Sequence, residues 1–131
     1  MPLVSVWLVR AALLHLAGGF VIGALLLADR GVPFAPGVWA LRALHTEMLL
    51  VGWMMQLVMG VAIWIFPRFA LRQAPQRSAV TAWLVLILLN AGVVLVGAGA
   101  PVAGRLLEAA AAGSFAVHLW RRVAPSGLSA M

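Results

Sequence analysis

Apolar residues along this chain come in long unbroken blocks rather than in stripes or alternation. Four blocks stand out: Val4 to Ala28, Trp39 to Phe66, Ala79 to Val96 and Val102 to Val123. About 20 apolar residues suffice to cross the hydrocarbon core of a bilayer, and a helix that is apolar all round belongs in lipid or in a core. The pattern predicts an all-α integral membrane protein, a four-helix transmembrane bundle. Its spans fall at about 4–28, 39–66, 79–96 and 102–123, forming a single transmembrane domain over 1–131. The first block is too long, and lacks the basic leader, to read as a cleaved signal peptide. Breaks between blocks carry turn chemistry. Asp29 to Pro36 holds Gly31, Pro33 and Pro36, Pro67 to Ser78 holds Pro67 and Pro75, and Gly97, Gly99 and Pro101 make a tight hairpin of the last two spans. The tail after Ala124 is expected to fray.

Composition narrows the class. With 65% hydrophobic and 9% charged residues in 131, no soluble domain fits beside the spans. The net charge of +6 raises nucleic acid as a partner, and its distribution removes it. All nine basic residues are arginines, most of them at predicted helix ends, with Arg10 inside the first block. Arg68, Arg72 and Arg77 fill the loop between the second and third spans, and Arg121 and Arg122 end the fourth. By the positive-inside rule that loop and both termini are cytoplasmic, in a cell inner membrane, with the lipid bilayer as the first partner. The chain has no cysteine. Disulfides, thiolate metal sites, iron–sulfur clusters and covalent heme attachment are therefore excluded, and any metal must be held by histidine, methionine or carboxylate.

Polar groups inside the spans are the candidates for function, because the membrane interior makes them costly. At 1.5 Å per residue, His45 lies about 5–9 Å below the outer surface, His15 about 10–15 Å deeper, and His118 about 20 Å or more deeper than His45. His45 and His15 are candidate metal or heme ligands. A bond to an interfacial water or carbonyl is the other reading for His45, and a hydrogen bond between helices is the other for His15. His118 suits an interfacial histidine near Arg121 and Arg122. Arg42 and Arg105 are placed to meet heme propionates or to anchor helix ends. Glu47 would orient His45 or carry protons, an intrahelical pair with Arg42 being the alternative, and Glu108 sits three residues after Arg105. Met48, Met54, Met55 and Met59 offer soft thioethers, or simply fill gaps in the core. Trp7, Trp39, Trp64 and Trp120 mark span ends, as an interfacial aromatic belt does, and Trp53 is mid-span. Small residues crowd the fourth span (Ala103, Gly104, Ala109 to Gly113, Ser114), which suits close helix packing inside the protomer or between subunits.

The segment His45 to Pro67, HTEMLLVGWMMQLVMGVAIWIFP, resembles helix II of the heme-copper oxidase subunit I family through His45, Gly60 and Pro67. Thr46 stands where that family commonly has glycine. The resemblance implies noncovalent heme b on His45, with His15 as the second candidate ligand. It also implies a four-helix arc of the twelve-helix fold, three copies of which, as a homotrimer, would rebuild the ring. With three histidines in all, the family's His-His pair and further copper ligand have no counterpart, so a complete oxygen-reducing centre is not implied. The expected role is electron transfer, from a respiratory electron donor, or binding of a small gas, O2 or NO. Related nitric-oxide-handling membrane families have similar histidine-bearing helices. The alternative is a cofactor-free assembly or scaffold protein of a respiratory membrane complex. Heme loss on His45→Ala separates the two.

Overall fold

The structure, a computed structural model, describes residues 1–69 and 77–120. Among them there is helix and loop and no strand. Helix α1 is Leu3–Gly31, α2 is Arg42–Glu47, α3 is Gln56–Phe69, α4 is Arg77–Gly97 and α5 is Pro101–Trp120. Helix α2 is preceded by a 3₁₀ turn, Val38–Leu41, and joined to α3 by a π-helix, Met48–Met55, so that 38–69 is one helix of changing pitch. The expected basic loop lies partly, and the C-terminal arginines wholly, outside the described residues.

Among the described residues three helices are long and apolar enough to cross a membrane: Leu3–Gly31, Val38–Phe66 and Ala79–Gly97. At 1.5 Å per residue, α1 with its 29 residues is about 43 Å long. Helix α5 has 20 residues, enough in length, but Arg105, Glu108 and His118 dilute its apolar character. The four expected spans are therefore three by composition, with a fourth helix that matches them only in length. Their outward surface is apolar: Leu14 and Leu27 of α1 and Val94 of α4 are at least 64% exposed. Apolar exposure over most of a surface suits contact with lipid.

Local chemistry explains the joints. Asp29 accepts hydrogen bonds from the backbone N–H groups of Phe34 and Ala35 at 3.0 and 3.1 Å, and from Trp39 Nε1 at 3.1 Å. It thereby folds the first loop back over the end of α1, which runs through Gly31, past the span end expected at Ala28. The α4–α5 hairpin closes by a Schellman motif. The Ala100 N–H meets the Leu95 carbonyl at 2.9 Å, and the Gly99 N–H meets that of Val96 at 3.2 Å. Gly99 has φ +85°, a backbone state that only glycine adopts freely. Pro101 then starts α5 where its missing N–H costs nothing. This is the tight hairpin the sequence predicts.

Close approach of backbones sets the packing. Helix α1 runs antiparallel to the helix 38–69: Gly23 opposes His45, Gly19 opposes Leu49, Gly52 opposes His15, and Gly60 opposes Leu8. The α4–α5 contact is closest where a side chain on Gly104 would come within 2.7 Å of the Gly92 carbonyl. Of the small residues in α5, Gly104 and Ala111 pack inwards, while Ala103, Ala109, Ala110 and Gly113 face outwards. Both uses that the sequence suggested for them are thus open to this helix. Val4, Leu8, Ile63 and Ala82 fill one part of the core; Met59, Val85, Leu89 and Ala111 fill the next.

Candidate functional site

Helix α2 carries two polar residues that face opposite ways. His45 points at α1. Its Nδ1 lies 2.8 Å from the Gly19 carbonyl oxygen. A carbonyl can only accept, so Nδ1 donates and Nε2 keeps its lone pair. The ring edge lies over Gly23, where an added side chain would come within 2.7 Å of Cε1. The histidine therefore fits here because α1 has glycine at that level. Beside the ring is an open depression of about 200 Å³ lined by Gly23, Leu26, Leu27, Arg30, Trp39 and His45. Its lining joins one imidazole and one guanidinium to two leucines, a tryptophan and a glycine. Arg30 and Trp39 were not singled out as partners of His45 by sequence. They lie in different parts of the chain, and the loop stapled by Asp29 is what brings Trp39 there.

Glu47 points the other way, into the bundle. It is 2% exposed and makes a two-point ion pair with Arg105 of α5: Nη1 to Oε1 at 2.8 Å and Nη2 to Oε2 at 2.7 Å. The same Nη1 donates to Glu108 Oε2 at 3.1 Å. Glu47 thus pairs with Arg105 and not with His45 or Arg42, the partners that closeness in sequence suggested, and Arg105 is engaged by two protein carboxylates. Arg42 is exposed on the far side of α2.

His15 packs its ring over Gly52, where a side chain would lie 2.5 Å from Cγ. Its buried Nδ1 has no hydrogen-bond partner of good geometry among the described residues. The contacts His15–Gly52 and His45–Gly23 are seven to eight residues apart on each helix, about 10–12 Å at the usual rise. Metal–imidazole bonds are about 2 Å long, so the two rings do not share one metal within a protomer. His118 is buried near the end of α5. Met59 is core and Met48 fills the space over Gly18, whereas Met54 and Met55 face outwards. No group of three histidine or acidic side chains that could hold a bare metal ion occurs among the described residues.

One residue escaped the sequence reading. Gln56, at the junction of the π-helix and α3, is fully buried, and neither end of its amide has a partner among the described residues. Its signal was there: a lone amide in the middle of an apolar block.

The fold and these two centres define an all-helical protein, apolar enough in three helices to cross a membrane, with a histidine site on one side of α2 and a carboxylate–arginine site on the other. No protein-family description, curated protein or solved structure matches this chain. The likeness to heme-copper oxidase helix II therefore rests on His45, Gly60 and Pro67 themselves.

Proposed function

We propose that this chain is a heme b-binding protein of the inner membrane whose axial ligand is His45 and whose role is to bind a small gas, NO or O2. The observation that carries the reading is the His45 Nδ1–Gly19 carbonyl hydrogen bond. It fixes the tautomer and turns Nε2 into a ligand, as second-shell acceptors do for metal-bound histidines. A porphyrin supplies four ligands of its own, so one histidine is enough where a bare ion would need three or four. Leu26, Leu27 and Trp39 would lie against the ring and Arg30 would meet a propionate. Heme bound here would take no ligand from His15, whose ring stands about 10–12 Å away, and would supply an iron able to bind a small gas. That favours gas binding over electron transfer, for which a second axial ligand is expected; a respiratory electron donor would then be a partner only for reduction.

The depression is open on one side, so a macrocycle in it would need cover. We place this against a neighbouring copy in the homotrimeric ring suggested by the resemblance. Helix α5 is the fourth span in this reading, its Arg105 paired with Glu47 and Glu108, and the arginine distribution is read as putting both termini in the cytoplasm. The alternative, a cofactor-free scaffold, is favoured by the same hydrogen bond read as a clamp between α1 and α2.

Purified protein, reconstituted with hemin and examined oxidised and dithionite-reduced, separates them. One heme b per chain, broad reduced bands that shift with CO, and loss of the heme in His45→Ala are expected. Full heme content in His45→Ala, or a chain that takes up no heme, sinks the proposal. A trimer mass in native mass spectrometry tests the ring.

A further inference from the structure

We propose that Glu108 is a reversible proton-binding site, independent of any heme at His45. The chain has three acidic side chains, and each can be followed. Asp29 accepts from three N–H donors. Glu47 has both oxygens on the Arg105 guanidinium, at 2.8 and 2.7 Å. Glu108 has one oxygen on an Arg105 nitrogen already used by Glu47, at the longer distance of 3.1 Å.

Two buried acids thus share one base, and a single positive charge neutralises only one of them. Glu47, held at two points, keeps the negative charge; Glu108 is left to take a proton. Its other oxygen shows the same thing independently. Oε1 is buried without a partner among the described residues, in a residue 92% shielded from solvent. The gap it borders is the one left by the missing side chain of Gly92. A Cβ there would lie 3.2 Å from Glu108 Oε1 and 3.0 Å from the Gly104 carbonyl oxygen. A buried carboxylate oxygen without a donor gains nothing there, whereas a protonated one can donate. Among the described residues, α2 and α4 bring no other charge to compensate. Helix α4 from Ala79 to Gly97 has no titratable side chain, α2 contributes Glu47, with Arg42 exposed one turn beyond it, and His45 faces α1. Arg105 has 59% of its side chain exposed, so the cluster reaches the surface of the protomer.

Infrared spectroscopy of the full chain in lipid tests this, in H2O and D2O, across neutral to alkaline pH. A protonated-carboxyl C=O stretch, deuterium-sensitive at neutral pH, lost on raising the pH and regained on lowering it, is expected. It should vanish in Glu108→Gln, whose side chain mimics the protonated acid and should keep the helix content, and persist in Asp29→Asn. Wild-type protein without that band, a band indifferent to pH, or one that survives Glu108→Gln overturns the assignment.

Discussion

Replacing Arg105 by methionine probes the ion cluster with a side chain that keeps the apolar stem and loses the charge. Glu47 is 2% exposed, so it cannot recover the lost partner from water. Removing one member of a buried pair costs about 3–5 kcal/mol, because the remaining charge stays desolvated. Here 59% of the Arg105 side chain is open to solvent, so the native pair is already weakened by screening. The lower end of the range applies, about 2–3 kcal/mol. Removing the stranded charge as well should restore most of it, since deleting both partners of a buried hydrogen bond is far cheaper than deleting one. Arg105→Met with Glu47→Met, which removes both partners, should therefore lie within about 1 kcal/mol of wild type, leaving a coupling of at least about 1–2 kcal/mol, in the range found for residues in direct contact. Unfolding in mixed micelles, followed by circular dichroism and by the fluorescence of the six tryptophans, measures all four corners of the cycle. A loss below about 1 kcal/mol in Arg105→Met, or a double variant as unstable as the sum of the singles, would refute the claim that Glu47 depends on this arginine.

Glycine contacts and the orphan amide give two further tests in the same assay. Gly52→Ala puts a methyl group 2.5 Å from the His15 ring and should cost about 1–3 kcal/mol by overpacking; Gly113→Ala, with nothing within 4 Å of the added carbon, should be neutral or slightly stabilising. Equal behaviour of the two would mean the α1 contact is looser than drawn. Gln56→Leu removes two buried polar atoms without partners and should stabilise by about 1–3 kcal/mol. Destabilisation by that change would show that something holds the amide.

Much of the fold was legible because lipid contact demands a simple pattern. Unbroken apolar blocks gave the long helices, Gly97 to Pro101 gave the hairpin, and prolines and glycines after Asp29 gave the first loop. What the pattern lacks is phase. An all-apolar helix has no polar stripe to say which side faces which neighbour, so Glu47 was assigned to His45 or Arg42 on closeness in sequence. Tertiary packing gave it to Arg105, 58 residues away. The π-helix Met48–Met55 is invisible for the same reason: a wider turn changes which residues share a face, not which are apolar. The sequence by itself determined the class of protein, the helix lengths and the list of polar groups that need partners. Only the tertiary structure decided the partners, because hydrogen bonds and ion pairs depend on helix rotation and on where glycines let two backbones meet.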